Sequence, residues 1–315
     1  MVASADLTGP FAAQASGPTF LSDFMVDPSP ALHIYDREID SRERTSLSVL
    51  TSHIRPGARV LDLGCGSGAI GRFLAARDGA GSATLDGLTI SADEAALAAP
   101  HYRRVEVADL DAVQLIDLFP AGDYDAIVCA DVLEHVRQSE RVLAECRQLL
   151  APGGQVLLSI PNAAYCGLIA ELMAGEFRYR PEGLLDETHV RFFTRQTLLR
   201  FLQAGGWAPR HIETIERALP ASEFRMAFDA LPPAVARHLL ALPDAMTYQF
   251  IVVAQPLAGP VAGVSFVQAI EAAPPLPAQA LFTAQLYTGA DGAYSEADKI
   301  TAAGVIGQQQ QTLRC

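Results

Sequence analysis

The residues best placed to do chemistry fall into two groups. The first is the run Val60-Leu-Asp62-Leu-Gly64-Cys65-Gly66-Ser-Gly68. Its apolar start reads as a strand, and its glycines read as a sharp turn into a helix where a ligand can approach the backbone. Gly64-x-Gly66-x-x-Ala69 also satisfies the dinucleotide fingerprint. Asp62 argues against a dinucleotide, because its carboxylate would repel a pyrophosphate dianion. A ligand without phosphate that carries ammonium or sulfonium charge suits this turn better. The second group holds candidate proton acceptors. Glu134 and His135 follow a predicted strand at Tyr124–Ala130, and His189 lies in the loop Glu182–Thr194 with Asp186 three residues before it. Imidazoles and carboxylates at such positions can take a proton from an acceptor hydroxyl. Asp186 could orient His189, and Asn162 either faces the acceptor or forms a turn. Arg178, Arg180, Arg191 and Arg195, set among Phe177, Tyr179, Phe192 and Phe193, make either an anion-recognising lid or a loop paired with its own acids.

These groups need a scaffold, and the pattern supplies one. A charged amphipathic helix is expected from Tyr35 to about Ile54. Strands are then expected at Arg59–Leu63, Ser82–Ile90, Tyr102–Ala108, Tyr124–Ala130 and Gln155–Ile160. Helices are expected at Ala69–Arg77, after Ser91 with Glu94 in the capping-box position, at Asp111–Leu118 and at Ser139–Leu150. This alternation predicts an α/β fold with a parallel sheet covered on both faces. Further on, helices are expected at Ala163–Ala174 and Thr194–Ala204. Two late strands, Arg210–Glu216 and Tyr248–Ala254, flank a helical insert at Ala221–Leu242.

Val60–Gly68 resembles motif I of the class I S-adenosylmethionine (SAM)-dependent methyltransferases. Asp125–Val128 with Asp131–Val136 resembles that family's fourth strand and the signature after it, and Leu150–Gly154 resembles the turn before its fifth strand. The resemblance covers roughly Tyr35 to Pro256. It implies a Rossmann-like, seven-stranded, mostly parallel sheet of order 3-2-1-4-5-7-6 with the final strand antiparallel. It implies SAM as cofactor, bound by Asp62, the loop residues Gly64, Cys65, Gly66 and Gly68, Asp109 with the Leu110 amide, and Asp131. The family usually ends strand two in an acid that grips the ribose; here alignment places Thr89. Catalysis is expected from His189, His135 and Glu134. No metal is assigned. Asp131, Glu134, His135 and His189 nevertheless resemble a metal site of the small-RNA 2′-O-methyltransferases and, in part, of the ubiquinone-biosynthesis O-methyltransferases.

The Glu182–Thr194 run also resembles bacterial methyltransferases that accompany glycosyltransferases in surface-polysaccharide synthesis. The acceptor expected from this is a hydroxyl on a sugar or glycan precursor, with a glycosyltransferase as partner or fused module. The alternatives are a quinone-type small-molecule O-methyltransferase with or without a metal, a non-catalytic SAM-binding module, and a nicotinamide dehydrogenase.

Composition bounds these readings. With 36 acidic against 23 basic residues, the net charge of -13 argues against a nucleic-acid surface. Five irregularly spaced cysteines read as reduced thiols, and hence a cytoplasmic setting. Pro256 and Pro260 break the most apolar stretch, so no membrane span is expected. The expected organisation is a mobile leader at 1–30, a methyltransferase domain at 31–257, a Pro/Ala-rich linker at 258–280 and a partial strand-rich segment at 281–315.

Overall fold

The computed structural model describes residues 39–259, except 41, 226, 228 and 229. The expected leader, nearly all of the expected linker and the C-terminal segment lie outside the described residues. Seven strands form one sheet: β1 (Arg59–Leu63), β2 (Thr84–Thr89), β3 (Arg104–Val107), β4 (Tyr124–Ala130), β5 (Leu150–Pro161), β6 (Trp207–Glu216) and β7 (Thr247–Pro256). Their order is 3-2-1-4-5-7-6. Pairings from β3 through β5 are parallel, and β7 runs antiparallel to both β5 and β6. This is the Rossmann-like methyltransferase architecture that the motif pattern implied.

The central strands are apolar on both sides because both faces are covered. Alternation sends Leu61, Leu63, Ile127, Leu158 and Val252 to one face, where they meet Leu143, Phe201 and Trp207. Val60, Val128, Leu157 and Ile251 go to the other face and meet Val49, Leu50, Ile70 and Leu74. The covering helices are α1 (Ser46–Ser52), α2 (Ala69–Asp78), α3 (Ala92–Ala98), α4 (Leu115–Leu118), α5 (Ser139–Leu149), α6 (Cys166–Met173), α7 (Arg195–Ala204) and α8 (Pro233–Leu240). Among the described residues no helix is long and apolar enough to cross a membrane.

Two elements differ from expectation for local reasons. α1 starts only at Ser46, because Thr45 caps it: the Thr45 hydroxyl accepts from Ser48 N and the Ser48 hydroxyl accepts from Thr45 N. The helix expected from Asp111 shrinks to Leu115–Leu118. Asp109 Oδ1 takes Asp111 N, and the Asp111 carboxylate accepts from Arg137 N and Gln138 N, so short acidic side chains compete with the helical ladder. Within the helical insert expected at Ala221–Leu242, Arg225 and Ala227 are helical and α8 follows, with a 3₁₀ turn at Leu219–Ala221 leading in.

Candidate active site

A cavity of about 640 Å³ opens at the carboxyl ends of β1, β2, β4 and β5, where open α/β sheets receive ligands. Asp62, Gly64, Cys65, Gly66, Thr89, Asp109, Leu110, Asp131, Glu134, His135 and His189 all line it. Of the residues assigned to cofactor binding or catalysis from the sequence, Gly68 is the exception. It stands at the N-cap of α2 with φ +85, and a Cβ there would lie 2.8 Å from Ala98 Cα, so its smallness serves the packing of α2 on α3.

The half of the cavity nearest β1 and β2 is built around the glycine loop. Gly64 N and Cys65 N donate to Leu88 O at 2.8 and 2.9 Å, which pins the loop to β2. Gly64 has φ +74, and a Cβ on it would fall 2.6 Å from Val132 Cγ2, so the loop needs glycine there to pass the segment after β4. Burial pushes the Cys65 thiol well up, with the nearby Asp62 and Glu94 carboxyls adding to the effect, so it serves as wall rather than nucleophile. Asp62 is fully buried and accepts from the Tyr102 hydroxyl at 2.6 Å. Burial raises its carboxyl to about 7, against the pull of the Tyr102 bond.

Glu94 was missed from the sequence as a site residue. Ser91 caps α3 as expected, accepting from Glu94 N at 3.3 Å. The Glu94 carboxylate, however, lines the cavity and accepts from the Thr89 hydroxyl at 2.7 Å. A carboxylate therefore does stand at the end of β2, delivered from the first turn of α3. The available signal was the missing acid at position 89 with the next acids one turn on. Asp86 does not fill the role. It is buried in β2 and held by Arg103 and by the Tyr124 hydroxyl at 2.5 Å.

The other half is built by the segment after β4 and the loop that folds over it. Asp131 adopts φ +55, rare for a side-chain-bearing residue. Its Oδ1 accepts from Ser159 Oγ at 2.5 Å and Gln249 Nε2 at 2.8 Å, which hold the turn from β5 and β7. Val190 N and Arg191 N both donate to Glu134 O, closing the loop onto this segment. The Glu134 carboxyl is buried with neither oxygen hydrogen-bonded, and burial, then the Asp131 charge, drives it well above the usual carboxylate range.

The imidazoles can be assigned from their neighbours. The Thr188 hydroxyl donates to Asp186 Oδ1 at 2.6 Å, so at 2.8 Å from His135 Nδ1 it acts as acceptor and His135 carries its proton on Nδ1. His189 Nδ1 faces the Leu184 carbonyl at 3.2 Å and donates to it. Both Nε2 atoms are left with a lone pair. Burial pulls both imidazoles below their ordinary value, and for His135 the neighbouring His189 adds to it. The ring centroids lie 4.6 Å apart. One ligating atom each from Glu134, His135 and His189 falls within 4.8 Å of the others. Asp186, a candidate to orient His189, accepts from His189 N through its carbonyl at 3.0 Å, and its carboxylate reaches His135 through Thr188.

The remaining candidates have structural partners. Asn162 forms a turn, with Nδ2 donating to Thr247 O at 2.8 Å and Oδ1 accepting from Ala164 N at 3.0 Å. Arg180 pairs with Glu171, Arg195 with Asp244, and Arg191 donates to Arg137 O. The loop thus pairs with its surroundings, and none of its four arginines lines the cavity. Arg217 does, packed 3.6 Å over the Tyr248 ring, together with Glu223, which accepts from the Tyr248 hydroxyl at 2.8 Å.

A family model described as a methyltransferase domain matches residues 33–212. A ubiquinone biosynthesis O-methyltransferase of Dechloromonas aromatica is 29% identical over 162 residues, covering 50% of this chain and 67% of that protein. Its counterpart in Burkholderia pseudomallei is 28% identical over 189 residues, covering 58% and 79%. Among solved structures, an S-adenosylmethionine-dependent methyltransferase from Mesorhizobium loti is similar over 67% of this chain and 98% of its own, with 23% identity and a TM-score of 0.45. Another from Aquifex aeolicus covers 66% and 88%, with 14% identity and a TM-score of 0.42.

Proposed function

The chain belongs to the methyltransferase-domain family, and from that premise we propose that it O-methylates a small acceptor through a ring hydroxyl of the kind a quinone precursor carries. SAM dependence and methyl transfer come with the family. The hydroxyl is the finer reading. The observation that carries it is the trio Glu134, His135 and His189, with two bare Nε2 atoms and an orphaned carboxyl on the wall of the cavity. Transfer to a hydroxyl needs a group that removes its proton, and the two Nε2 atoms are such groups. The named relatives favour a ring hydroxyl over the sugar hydroxyl expected from the loop sequence.

When bound, SAM supplies an activated methyl for in-line displacement. The chain does the rest. The ionised Asp62 would take the ammonium of the methionine end, Glu94, held by Thr89, would hold the ribose hydroxyls, and Asp109 with the Leu110 amide would bind the adenine. Gln249 and Ser159 hold Asp131, which fixes the segment carrying Glu134 and His135. His135 or His189 accepts the acceptor proton on Nε2. The same trio also fits a divalent ion, since a buried carboxyl without hydrogen-bond partners beside two imidazoles with free Nε2 is a suitable donor set. Glu134, His135 and His189 would hold it, and it would lower the pKa of the acceptor hydroxyl.

The test is incubation with SAM and, separately, dihydroxybenzenes and sugar nucleotides, before and after exhaustive chelation, with S-adenosylhomocysteine and methylated product followed by mass spectrometry. A methylated phenol is expected. A methylated sugar alone would return the acceptor to the glycan class. Cofactor binding without any product would leave a SAM-binding module, and NADH binding in place of S-adenosylhomocysteine would point to a dehydrogenase. Full activity after chelation would remove the ion and leave the imidazoles as bases.

A further inference from the structure

A second group of metal-ligating side chains lies outside the cavity, on the edge strand. Side chains alternate along β6, so His211, Glu213 and Ile215 share one face. Ile215 packs into the cluster under α1, whereas Ile212 packs on the opposite face of the sheet. His53, the residue that ends α1, lies across from this row. His53 Nε2 stands 3.2 Å and His211 Nε2 3.0 Å from one and the same atom, Glu213 Oε1. The two rings are 5.3 Å apart and tilted by 57°, so their Nε2 atoms converge instead of stacking. All three donor atoms fall within 4.8 Å of one another. The second carboxylate oxygen, Oε2, is taken by Arg44 at 2.6 Å, which leaves Oε1 to the two imidazoles.

We infer that His53, His211 and Glu213 form a binding site for a divalent transition-metal ion of the Zn²⁺ type, which clasps the end of α1 to the edge strand β6. Two imidazole nitrogens and one carboxylate oxygen suit zinc rather than magnesium or calcium, which prefer all-oxygen shells. In a tetrahedral zinc site with bonds of about 2.0–2.1 Å, neighbouring donor atoms are about 3.3 Å apart. The two contacts to Oε1 already have close to that spacing, so an ion can enter with little side-chain movement. The Arg44 pair on Oε2 fixes the Glu213 carboxylate with Oε1 toward the two imidazoles. His211 is half exposed, which gives an ion a way in and leaves a fourth position for water.

The clasp has a structural consequence for the cavity. α1 contributes Leu47 to the cavity wall and Val49 and Leu50 to the core. Its end is already tied down by Arg77, which donates to Thr51 O in the last turn at 2.8 Å and to Ile54 O just beyond it at 2.9 Å. A metal bridge from His53 to β6 adds a second fastening at the same end. The role is positional and separate from the trio inside the cavity.

The experiment is calorimetric titration of the chelator-stripped full chain with ZnCl₂ near neutral pH. A His135→Ala/His189→Ala background removes the cavity trio as a competing site, and wild type is measured alongside. One Zn²⁺ per chain is expected in that background. His211→Ala or His53→Ala should weaken it at least ~10-fold, the loss associated with disturbing a metal shell. In wild type the same substitutions should remove one bound equivalent, and added Zn²⁺ should raise Tm by less in His211→Ala than in wild type. Absence of Zn²⁺ binding in the background variant and in wild type overturns the inference. So does Zn²⁺ binding unchanged by both His211→Ala and His53→Ala, with circular dichroism showing both variants folded.

Discussion

Asp62→Asn should make the ligand-free protein more stable while making it bind the cofactor less well. Burial raises the Asp62 carboxyl from an ordinary 3.8 to about 7. Between those values the folded chain holds a proton that the unfolded chain has lost, so this group's contribution to stability falls as pH rises and the penalty is complete above about 7. At about 1.36 kcal/mol for each pH unit, the penalty approaches about 4 kcal/mol at pH 8. Asparagine keeps an oxygen for the Tyr102 hydroxyl and carries no charge to desolvate. At pH 8 the ligand-free variant should therefore melt higher, by roughly 8–16 °C at the upper limit, and the gain should vanish toward pH 4. Cofactor binding should move the other way. Loss of a charge-assisted bond to the ligand ammonium costs about 1.5–3 kcal/mol, roughly 10- to 100-fold in S-adenosylhomocysteine affinity. In wild type the affinity should rise with pH up to about 7 and then level off, with a proton released on binding below that pH. Calorimetry in buffers of different ionisation enthalpy reads the proton directly, and in the variant it should be absent. A variant less stable than wild type at every pH, or a wild-type affinity that climbs as pH falls, would refute the reasoning.

Glu94→Gln should weaken S-adenosylhomocysteine about 10-fold with little change in turnover at saturating cofactor, read from calorimetry and steady-state kinetics; unchanged affinity would confine Glu94 to holding Thr89. Because both imidazoles are pulled below their ordinary value, activity should persist below pH 6.5 and fall only as they gain protons; the acid limb of kcat/KM should lose one proton's dependence in His189→Ala, with cofactor affinity spared, and a wild-type limb centred above 6.5 would contradict the assignment. Glu134→Gln removes a carboxyl whose ionisation burial and the Asp131 charge oppose, so the ligand-free melting temperature should not fall while turnover drops about 100-fold; undiminished turnover would make Glu134 a wall residue.

The sequence by itself determined the scaffold and most of the cavity's membership. β1 and β4 appear with the bounds expected, Arg59–Leu63 and Tyr124–Ala130, because apolar runs between turn residues are local signals. The order of the sheet came with the motifs around Asp62, Asp131 and Gly153; spacing alone does not imply it. What the tertiary structure decided is who partners whom. Glu94 fits a capping box by position, yet its carboxylate goes to Thr89 and the cavity. Asp186 sits three residues from His189, yet it reaches His135 through Thr188, from a segment more than fifty residues away in the chain. Gly64 reads as room for a ligand, yet Val132 occupies the space its side chain would need. The charge state of Asp62 belongs to the fold as well, since it follows from burial. Periodicity and turn chemistry act over a few neighbouring residues and are written in the chain. Desolvation and hydrogen bonding act through space, and they take effect only where folding brings distant segments together.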